Sequence, residues 1–291
     1  MKVLITGATG FLGVPLVTKL SKFKDIEIIA CGHKRGKYAF DITKPRSIEK
    51  LISKIGSVDV LIHLAANVPK QKKEDLKDKM FTTNKVGTFN LLMSLENKVK
   101  KIIFASTAEV YGFPKNNNPI TERYLPNPVS YYGASKLAAE KIIQIFSKRY
   151  SIPYTILRFS TMYGPADPID RAIPNFIKRA INGEKPQVYG GEDLRDYLYI
   201  DDAVEALIAA MENVTSGIFN IASGKTISIK ETALIISKKI NPLLGVEILA
   251  NKKDSFDMPI DVSKARKLLG FSPKYSFPDQ LDKLIAWQRK N

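Results

Sequence analysis

The sequence has one cysteine and no long apolar run in its 291 residues. Cys31 cannot form an intrachain disulfide, and no spacing of possible ligands is typical of zinc, so we expect no metal site. No stretch reaches the roughly 18–20 apolar residues that cross a bilayer. The first residues, MKVLITG, lack the basic and apolar regions of a signal peptide. We therefore expect a cytoplasmic protein that does not bind membranes.

Acidic residues are also scarce, since 45 Lys and Arg stand against 29 Asp and Glu, for a net charge of +16. A basic surface can attract nucleic acid, anionic membranes or phosphorylated small molecules. The lysines are scattered, however, and the densest segment, 70–79, mixes both signs of charge and contains no aromatic residue. We therefore expect solvated lysines and no nucleic-acid partner, while attraction of a phosphorylated substrate remains reasonable.

Short apolar runs alternate with helical patterns through the first half of the chain. Strands separated by helices predict βαβ units and a parallel sheet, and continuous apolar runs indicate strands covered on both faces. We therefore predict an α/β fold with a Rossmann-like doubly wound parallel sheet. The predicted strands are 2–7, 26–32, 58–66, 101–107 and 153–160, and the predicted helices are 11–23, 47–55, 80–97 and 133–150.

The second half has shorter strands and more loops. We predict that it forms a smaller C-terminal α/β lobe over 165–291, beside a first domain over 1–164, and that part of 195–225 returns to the first domain. The helices predicted in this half are 175–183, 203–213 and two further stretches in the tail.

Three glycines follow the first strand in the motif GATGFLG. A nucleotide pyrophosphate needs close backbone approach and a helix N-terminus directed at it. Gly7 allows the tight turn, Gly10 lets the phosphates approach, and Gly13 lets helix and strand pack. In the first βαβ unit the motif predicts a dinucleotide site that includes Phe11 and Leu12. The alternative is a tight turn without a ligand.

The end of the second strand, ACGHKRG, lacks the acidic residue that often binds the ribose 2′-hydroxyl. His33, Lys34 and Arg35 are the polar residues there. A cationic cluster can bind a 2′-phosphate, so this segment favours NADP over NAD. A solvated hairpin end is the other interpretation.

Tyr132 and Lys136 lie four residues apart at the start of a predicted helix and therefore share a face. An ammonium group stabilises a nearby phenolate and lowers the pKa of the tyrosine, which makes it usable as an acid or base near neutral pH. Thr107 ends a predicted parallel strand, where ligands bind in open α/β sheets. Its hydroxyl can hydrogen-bond a substrate oxygen, so we predict that Thr107, Tyr132 and Lys136 form a catalytic set.

Further motifs accompany this set along essentially the whole chain. Together with the glycine loop they resemble the extended short-chain dehydrogenase/reductases, which are NAD(P)-dependent nucleotide-sugar epimerases, dehydratases and reductases. The motifs are HLAA (63–66), Asn84, STAEVYG (106–112), YGASK (132–136), LRFSTMYGP (157–165) and RDYLYIDD (195–202).

The resemblance implies an NAD(P)-binding first domain, a substrate-binding lobe and a role for individual residues. Tyr132 exchanges a proton with a sugar hydroxyl, Lys136 binds the nicotinamide ribose, and Thr107 holds the same sugar oxygen. The glycines hold the pyrophosphate. The other implied cofactor contacts are Asp41, Ile42, Leu64, Ala65 and Ala66, and the other implied substrate contacts are Ala108, Glu109, Thr161, Asn175 and Arg195.

Two of these residues have a structural alternative. Asp41 can instead cap the turn that follows it. Arg195, which the resemblance places on the nucleotide phosphates, can instead form a salt bridge with Asp193 or Asp196.

The resemblance also bears on the type of reaction. Family dehydratases carry an Asp–Glu pair just before VYG, in which the Glu removes a ring proton and the Asp protonates the leaving hydroxyl. This chain has Ala108 and Glu109, so the first position cannot donate a proton. Epimerases of the UDP-galactose 4-epimerase type carry a small residue there. The nucleotide stays open, because Thr161 replaces a common Asn and Lys252 or Lys253 replaces a common Arg.

We therefore predict a nucleotide-sugar 4-epimerase. The alternatives are an NADPH-dependent 4-keto-sugar reductase, a dehydratase or decarboxylase, and a non-enzymatic cofactor-sensing or RNA-binding protein. An epimerase regenerates its cofactor in each cycle and implies NAD, whereas Lys34 and Arg35 favour NADP. Relatives commonly dimerise through two helices, here 80–97 and 133–150, so we expect a homodimer. Leu92 and Ile145 are apolar positions on these helices that can face either a partner or the core.

Overall fold

The structure is a computed structural model, and it describes residues 1–33, 38–68, 77–114, 118–167, 171–250 and 257–290. The strands are β1 (Lys2–Thr6), β2 (Glu27–Gly32), β3 (Tyr38–Ala39), β4 (Val58–His63), β5 (Val99–Thr107), β6 (Tyr154–Phe159), β7 (Thr161–Tyr163), β8 (Gln187–Tyr189), β9 (Leu194–Tyr199), β10 (Gly217–Ile221), β11 (Thr226–Ser228) and β12 (Glu247–Leu249). The helices are α1 (Gly13–Leu20), α2 (Pro45–Ile55), α3 (Lys77–Phe81), α4 (Thr88–Ser94), α5 (Tyr131–Tyr150), α6 (Ala172–Ile181), α7 (Ile200–Glu212), α8 (Ile229–Ile240), α9 (Ser263–Leu269) and α10 (Phe277–Lys290).

Seven parallel strands form the central sheet, in the order β3-β2-β1-β4-β5-β6-β10. In the register of this sheet Val3 lies between Ile28 and Val60. The strand order reverses next to β1, and ligands of doubly wound sheets bind outside the carboxyl ends of the strands at such a point. The predicted fold class, an α/β fold with a Rossmann-like parallel sheet, is confirmed.

The sheet is covered by helices on both faces, as its apolar strands require. Alternate residues of a strand point to opposite faces, and in β1 the side chains of Val3 and Ile5 join one core cluster while Leu4 joins the other. Helices α1 and α7 supply Leu16 and Leu207 to the first cluster. The second cluster receives its helical residues from α2, α4 and α5.

The predicted helix 80–97 is interrupted. The chain forms α3, continues as a π-helical segment over Thr82–Gly87, and returns to α-helical geometry in α4. The segment contains Asn84, whose buried side chain bonds to Asn67 and Ser135. Single π-helical turns inside α-helices are frequent at functional sites. The predicted helix 11–23 is also shorter than expected, because its first two residues belong to the glycine loop.

The second half of the chain builds a three-stranded sheet, β11-β9-β7, and a two-stranded sheet, β12-β8. Helix α6 packs against α8 and α10. The described residues of the tail form three helices, α8, α9 and α10, rather than the two predicted. Strand β10 pairs with β6 in the central sheet, although about 60 residues separate them. The boundary that we predict between two domains stays a prediction.

The two apolar positions considered on the predicted dimer helices lie in different environments. Leu92 is 1% exposed and belongs to the core, because it points from α4 toward the sheet. Ile145 is 68% exposed on α5. Of the two orientations left open by the sequence, Leu92 therefore faces the core. Within the described ranges, none of the helices is long and apolar enough to cross a membrane.

Candidate active site

The glycine loop connects β1 to α1 and shows two kinds of glycine. Gly7 has a φ of +71°, and a Cβ on it would lie 2.7 Å from the backbone nitrogen of Ala65. A Cβ on Gly13 would lie 2.2 Å from the carbonyl oxygen of Gly7. Gly10 differs. A Cβ added to it would have one atom of the described residues within 4 Å, the carbonyl oxygen of Gly7 at 3.2 Å. Gly7 and Gly13 therefore permit close backbone packing, whereas Gly10 faces open space.

The other predicted cofactor residues surround this loop or continue from it. Leu64, Ala65 and Ala66 are half-buried after β4. Asp41 accepts hydrogen bonds at Oδ1 from the backbone nitrogen and the hydroxyl of Thr43. Asp41 therefore caps the turn that follows it, which is the alternative role that the sequence allows.

Ile42, His33 and the loop residues beside Gly10 complete this set. Ile42 is buried and would crowd any Cβ on Gly87, at 2.5 Å. His33 is exposed beyond the end of β2, and Phe11 and Leu12 lie between Gly10 and α1. Lys34 and Arg35 lie outside the described residues.

The three predicted catalytic residues come from the end of β5 and the start of α5. Thr107 ends β5, and its Oγ1 accepts a hydrogen bond from the backbone nitrogen of Glu109 at 3.2 Å. Helix α5 begins at Tyr131, because Ser130 caps it by accepting a bond from the Gly133 nitrogen at 3.0 Å. Tyr132 is half-buried in the first turn, and Lys136 is 2% exposed one turn later.

The charge states of Tyr132 and Lys136 are set mainly by burial. Burial raises the pKa of Tyr132, the negative charge of Glu109 raises it further, and Arg171 opposes both. Burial lowers the pKa of Lys136 to about 7, against the opposing charge of Glu140. The expected lowering of the pKa of Tyr132 is therefore not found. Burial is the largest influence on the pKa of Tyr132. The Nζ atom of Lys136 lies 4.0 Å from the centre of the Phe104 ring.

Glu109 lies on a 3₁₀ turn, Ala108–Tyr111, that packs against the start of α5. Its carboxylate is exposed and accepts a hydrogen bond from the Ser130 hydroxyl at 2.8 Å. A Cβ on Gly133 would lie 2.6 Å from the Glu109 carbonyl oxygen, so the two backbones are in close contact. Glu109 therefore joins the strand end that carries Thr107 to the helix that carries Tyr132.

A buried ion pair lies beneath the predicted catalytic residues. Arg158 in β6 donates from Nε to Oε1 of Glu140 at 3.0 Å and from Nη2 to Oε2 at 2.6 Å. Ser106 also donates to this carboxylate. Both charged side chains are almost fully buried, and Glu140 lies one turn after Lys136 on α5.

A cavity of about 140 Å³ is lined by residues of the second half of the chain. Its wall includes Thr161, Arg171, Arg195 and Tyr197. Arg195 donates to Asp193 at 3.1 Å, which is the salt bridge weighed from the sequence, while it also lines this cavity. Asn175 lies on α6 outside the cavity wall.

Arg171 is a residue of the candidate site that the sequence motifs do not predict. It precedes α6, lines the cavity and acts on Tyr132 through its charge. Among the described residues, its guanidinium has no hydrogen-bond or ion-pair partner. The nearest sequence signal was its place in the loop after YGP, where an isolated arginine has no distinctive pattern.

Sequence reasoning also assigned no role to Asn84 and Ser135. Asn84 accepts from the backbone nitrogen of Asn67 at 2.7 Å and donates to the Asn67 carbonyl and the Ser135 hydroxyl. Ser135 then donates to the carbonyl of Tyr132 at 2.8 Å. The segment after β4 and the first turn of α5 are therefore joined by hydrogen bonds. The described residues hold no group of three or more His, Cys, Asp or Glu that could bind a metal.

Comparison with known proteins places this architecture among nucleotide-sugar enzymes. A family model described as "NAD dependent epimerase/dehydratase family" matches residues 3–222. A putative UDP-glucose 4-epimerase of Methanocaldococcus jannaschii is 32% identical over 99% of both chains. UDP-glucuronic acid decarboxylase 6 of Arabidopsis thaliana is 31% identical over 97% of this chain and 87% of its own.

Solved structures of two epimerases also resemble this chain. UDP-glucose 4-epimerase from Thermotoga maritima, determined with UDP-glucose, superposes with a TM-score of 0.90 at 29% identity and covers 100% of this chain and 99% of its own. UDP-glucuronic acid 4-epimerase from Bacillus cereus, in complex with UDP-glucuronic acid and NAD, gives a TM-score of 0.87 at 29% identity, with the same coverage.

Proposed function

Because the chain belongs to the NAD-dependent epimerase/dehydratase family, we propose that it is a nucleotide-sugar 4-epimerase that uses Tyr132 as its acid and base. Members of this family are enzymes, so the cofactor-sensing and RNA-binding alternatives are set aside. The observation that carries the proposal is the pair Ala108 and Glu109. Elimination needs an acid and a base on the sugar ring, and Ala108 has no proton to donate.

The residues of the glycine loop suit a dinucleotide. Gly7 and Gly13 pack backbone against backbone, and the open face of Gly10 provides room for a pyrophosphate. Asp41 and Ile42 would lie by the adenine, and Lys136 would hold the nicotinamide ribose. When bound, NAD supplies a nicotinamide ring that accepts a hydride and returns it.

The protein side chains handle the proton that accompanies the hydride. Tyr132 takes the proton of the C4 hydroxyl as C4 is oxidised to a ketone, and returns it when C4 is reduced from the opposite face. Thr107 holds the same oxygen at the end of β5. Lys136, with a pKa of about 7, places an ammonium charge beside a developing phenolate for part of the population at neutral pH.

We assign Glu109 a positioning role. Its carboxylate accepts a hydrogen bond from Ser130, the cap of α5, and so holds the strand end and the catalytic helix together. In a decarboxylase or dehydratase the same carboxylate would act on the sugar ring. Replacement of Glu109 by Gln keeps an acceptor for Ser130 and removes the base, so an epimerase should retain most of its turnover.

The test of the main proposal uses the protein as purified. UDP-glucose is added without cofactor, the products are followed by proton NMR, and the denatured protein is analysed by mass spectrometry for released dinucleotide. We expect conversion to UDP-galactose and release of NAD(H). A 4,6-elimination product, or consumption of added NADPH with a 4-keto sugar, would overturn the proposal in favour of the dehydratase or the reductase. Release of NADP(H) would support the role considered for Lys34 and Arg35.

A second candidate substrate is a nucleotide-linked hexuronate. The Arg171 guanidinium lines the cavity, has no partner among the described residues and acts on Tyr132 through its charge, so it suits a carboxylate on the sugar. Replacing Arg171 with Gln should then raise KM for UDP-glucuronate about 10- to 100-fold, the effect of one charged hydrogen bond, and change KM for UDP-glucose little. Equal losses with both substrates would indicate contact with their shared nucleotide.

We also propose a homodimer formed through α4 and α5. Phe89 and Met93 on α4 are exposed, as is Ile145 on α5, and together they leave an apolar surface on these neighbouring helices. Replacing Ile145 with Glu should shift the mass measured by light scattering from dimer to monomer. A monomeric wild-type protein would refute the homodimer.

A further inference from the structure

His63 is a buried side chain to which the proposed reaction assigns no role. It is the last residue of β4 and is 1% exposed. Its Nδ1 atom lies 2.7 Å from the hydroxyl of Thr6 at the end of β1. Its Nε2 atom lies 2.9 Å from the hydroxyl of Thr88 at the start of α4. The ring therefore bridges the sheet and the helix that follows the π-helical segment.

The direction of these hydrogen bonds follows from counting protons. Thr88 has one hydroxyl proton, and it donates this proton to the carbonyl oxygen of Asn84 at 2.6 Å. Thr88 can therefore only accept from His63, which places a proton on Nε2. Burial lowers the pKa of His63 to about 3, and the charge of Lys136 lowers it further, so the ring is neutral and Nδ1 has no proton. Thr6 then donates to Nδ1.

The same count extends the chain into the proposed cofactor cleft. With its proton given to His63, the Thr6 hydroxyl oxygen accepts from the backbone nitrogen of Ala65 at 3.2 Å. Every donor now points one way, from Ala65 through Thr6, His63 and Thr88 to the carbonyl of Asn84. We refer to this series as the His63 chain.

Both ends of the His63 chain reach the site. At one end, the Leu64–Ala65 backbone lies against Gly7, where a Cβ would come within 2.7 Å of the Ala65 nitrogen. At the other end, Asn84 holds both backbone polar groups of Asn67 and the hydroxyl of Ser135. The segment 64–67 is therefore fixed at its start and at its end.

We infer that His63 is a positioning residue for the cofactor, which holds the segment 64–67 against the glycine loop by accepting from Thr6 and donating to Thr88 at the same time. This inference rests on the proposed dinucleotide site. A side chain at this position must offer one acceptor and one donor about as far apart as the two ring nitrogens. A neutral imidazole meets this requirement, as does the amide of glutamine, whereas leucine offers neither group.

The test compares His63→Leu with His63→Gln. The first readout is hydrogen–deuterium exchange of the backbone amides in 64–68 in ligand-free protein. The second is the affinity for NAD⁺ measured by calorimetry. We expect His63→Leu to speed exchange of the Ala65 amide and to weaken NAD⁺ binding about tenfold, and His63→Gln to restore most of both. In protein stripped of its dinucleotide, the concentration of added NAD⁺ that restores half of the turnover should change more than kcat.

A control variant separates positioning from general loss of stability. Ile236→Ala removes buried side-chain volume from α8, whose Ile236 lies in the core cluster on the opposite face of the sheet from α4 and α5. It should lower the melting temperature without changing NAD⁺ affinity. If His63→Leu does not fold, Thr88→Val removes the acceptor of Nε2 and should produce the same faster exchange.

Normal exchange and normal NAD⁺ affinity in His63→Leu would overturn the inference and leave the proposed function intact. A wild-type protein that binds no dinucleotide would instead refute the proposed function. In that case the exchange of the Ala65 amide still decides whether His63 fixes the segment: unchanged exchange overturns the positioning role, and faster exchange that Gln restores supports it.

Discussion

Replacing Glu140 with Gln tests the buried ion pair beneath the site. The substitution removes the negative charge that faces the Arg158 guanidinium, and an amide can accept only one of the two hydrogen bonds that Arg158 donates to the carboxylate. Removing one partner of a buried pair costs about 3–5 kcal/mol, because the remaining charge stays in a poorly solvating environment. At about 2–4 °C per kcal/mol for a chain of this size, we expect the melting temperature to fall by roughly 10 °C.

The same substitution should change the pH dependence of turnover. Burial lowers the pKa of Lys136 to about 7, and the charge of Glu140 opposes that effect. Without the charge, the pKa of Lys136 falls below 7. Less of the ammonium form is then present at neutral pH, so the loss of activity that accompanies deprotonation of Lys136 moves to lower pH. Rate–pH profiles of the wild type and Glu140→Gln measure this displacement.

The matched control is the double variant Glu140→Leu with Arg158→Met. It removes both charges and leaves apolar groups of similar volume, a change that is often neutral or stabilising at other buried pairs. Thermal unfolding followed by circular dichroism should show recovery of most of the lost stability. The reasoning is refuted if Glu140→Gln unfolds within about 1 kcal/mol of the wild type, or if the double variant is no more stable than the single one.

Three further predictions concern single groups. Gly13→Ala should destabilise the fold by about 1–3 kcal/mol, since its Cβ would lie 2.2 Å from the Gly7 carbonyl oxygen. Gly10→Ala should keep the wild-type melting temperature and weaken NAD⁺ binding. A Gly10→Ala protein that is less stable than Gly13→Ala would contradict our account of the loop. Tyr132→Phe should reduce turnover by about 10²- to 10⁴-fold with unchanged NAD⁺ affinity, and turnover within tenfold of wild type would exclude Tyr132 as the acid and base. His63 has a folded pKa of about 3 against 6.5 unfolded, so its contribution is complete above pH 6.5 and is lost as the pH falls toward 3, by at most about 1.4 kcal/mol per pH unit. Chemical denaturation from pH 7 to 4 should show that slope in the wild type and a shallower one in His63→Gln.

The central sheet was predictable because its signals are local. The strands of the first half are short apolar runs, and the glycine motif directly after Thr6 identifies the first βα turn. Helix α5 was predictable for the same reason, although the pattern predicts its start at residue 133 and the helix begins at Tyr131, directly after the capping Ser130. The π-helical segment was not predictable, because it occurs where Asn84 forms hydrogen bonds with residues that are distant in sequence.

The site was predictable where a motif carried it and not where contacts between distant segments did. Thr107 ends β5, and Tyr132 and Lys136 lie in the first turns of α5, where the motifs predict them, and their joint catalytic role stays a prediction. The charge state of Tyr132 differs from expectation because burial raises its pKa. The position of Arg171 is set by the conformation of a loop. The His63 chain is set by the direction in which the Thr6 and Thr88 hydroxyl groups donate their hydrogen bonds. Neither Arg171 nor the His63 chain produces a residue spacing that can be recognised in a single sequence.

The place of β10 in the sheet has a consequence for the protein during its synthesis. Its partner, β6, leaves the ribosome about 60 residues earlier. At about 5–20 residues per second, the outer edge of β6 stays unpaired for roughly 3–12 seconds. Five of the six residues of β6 are buried in the finished sheet, so an apolar edge with free backbone groups is exposed during that interval. Nascent chains stalled just before Gly217 should therefore bind chaperones, and chains stalled well after Ile221 should release them.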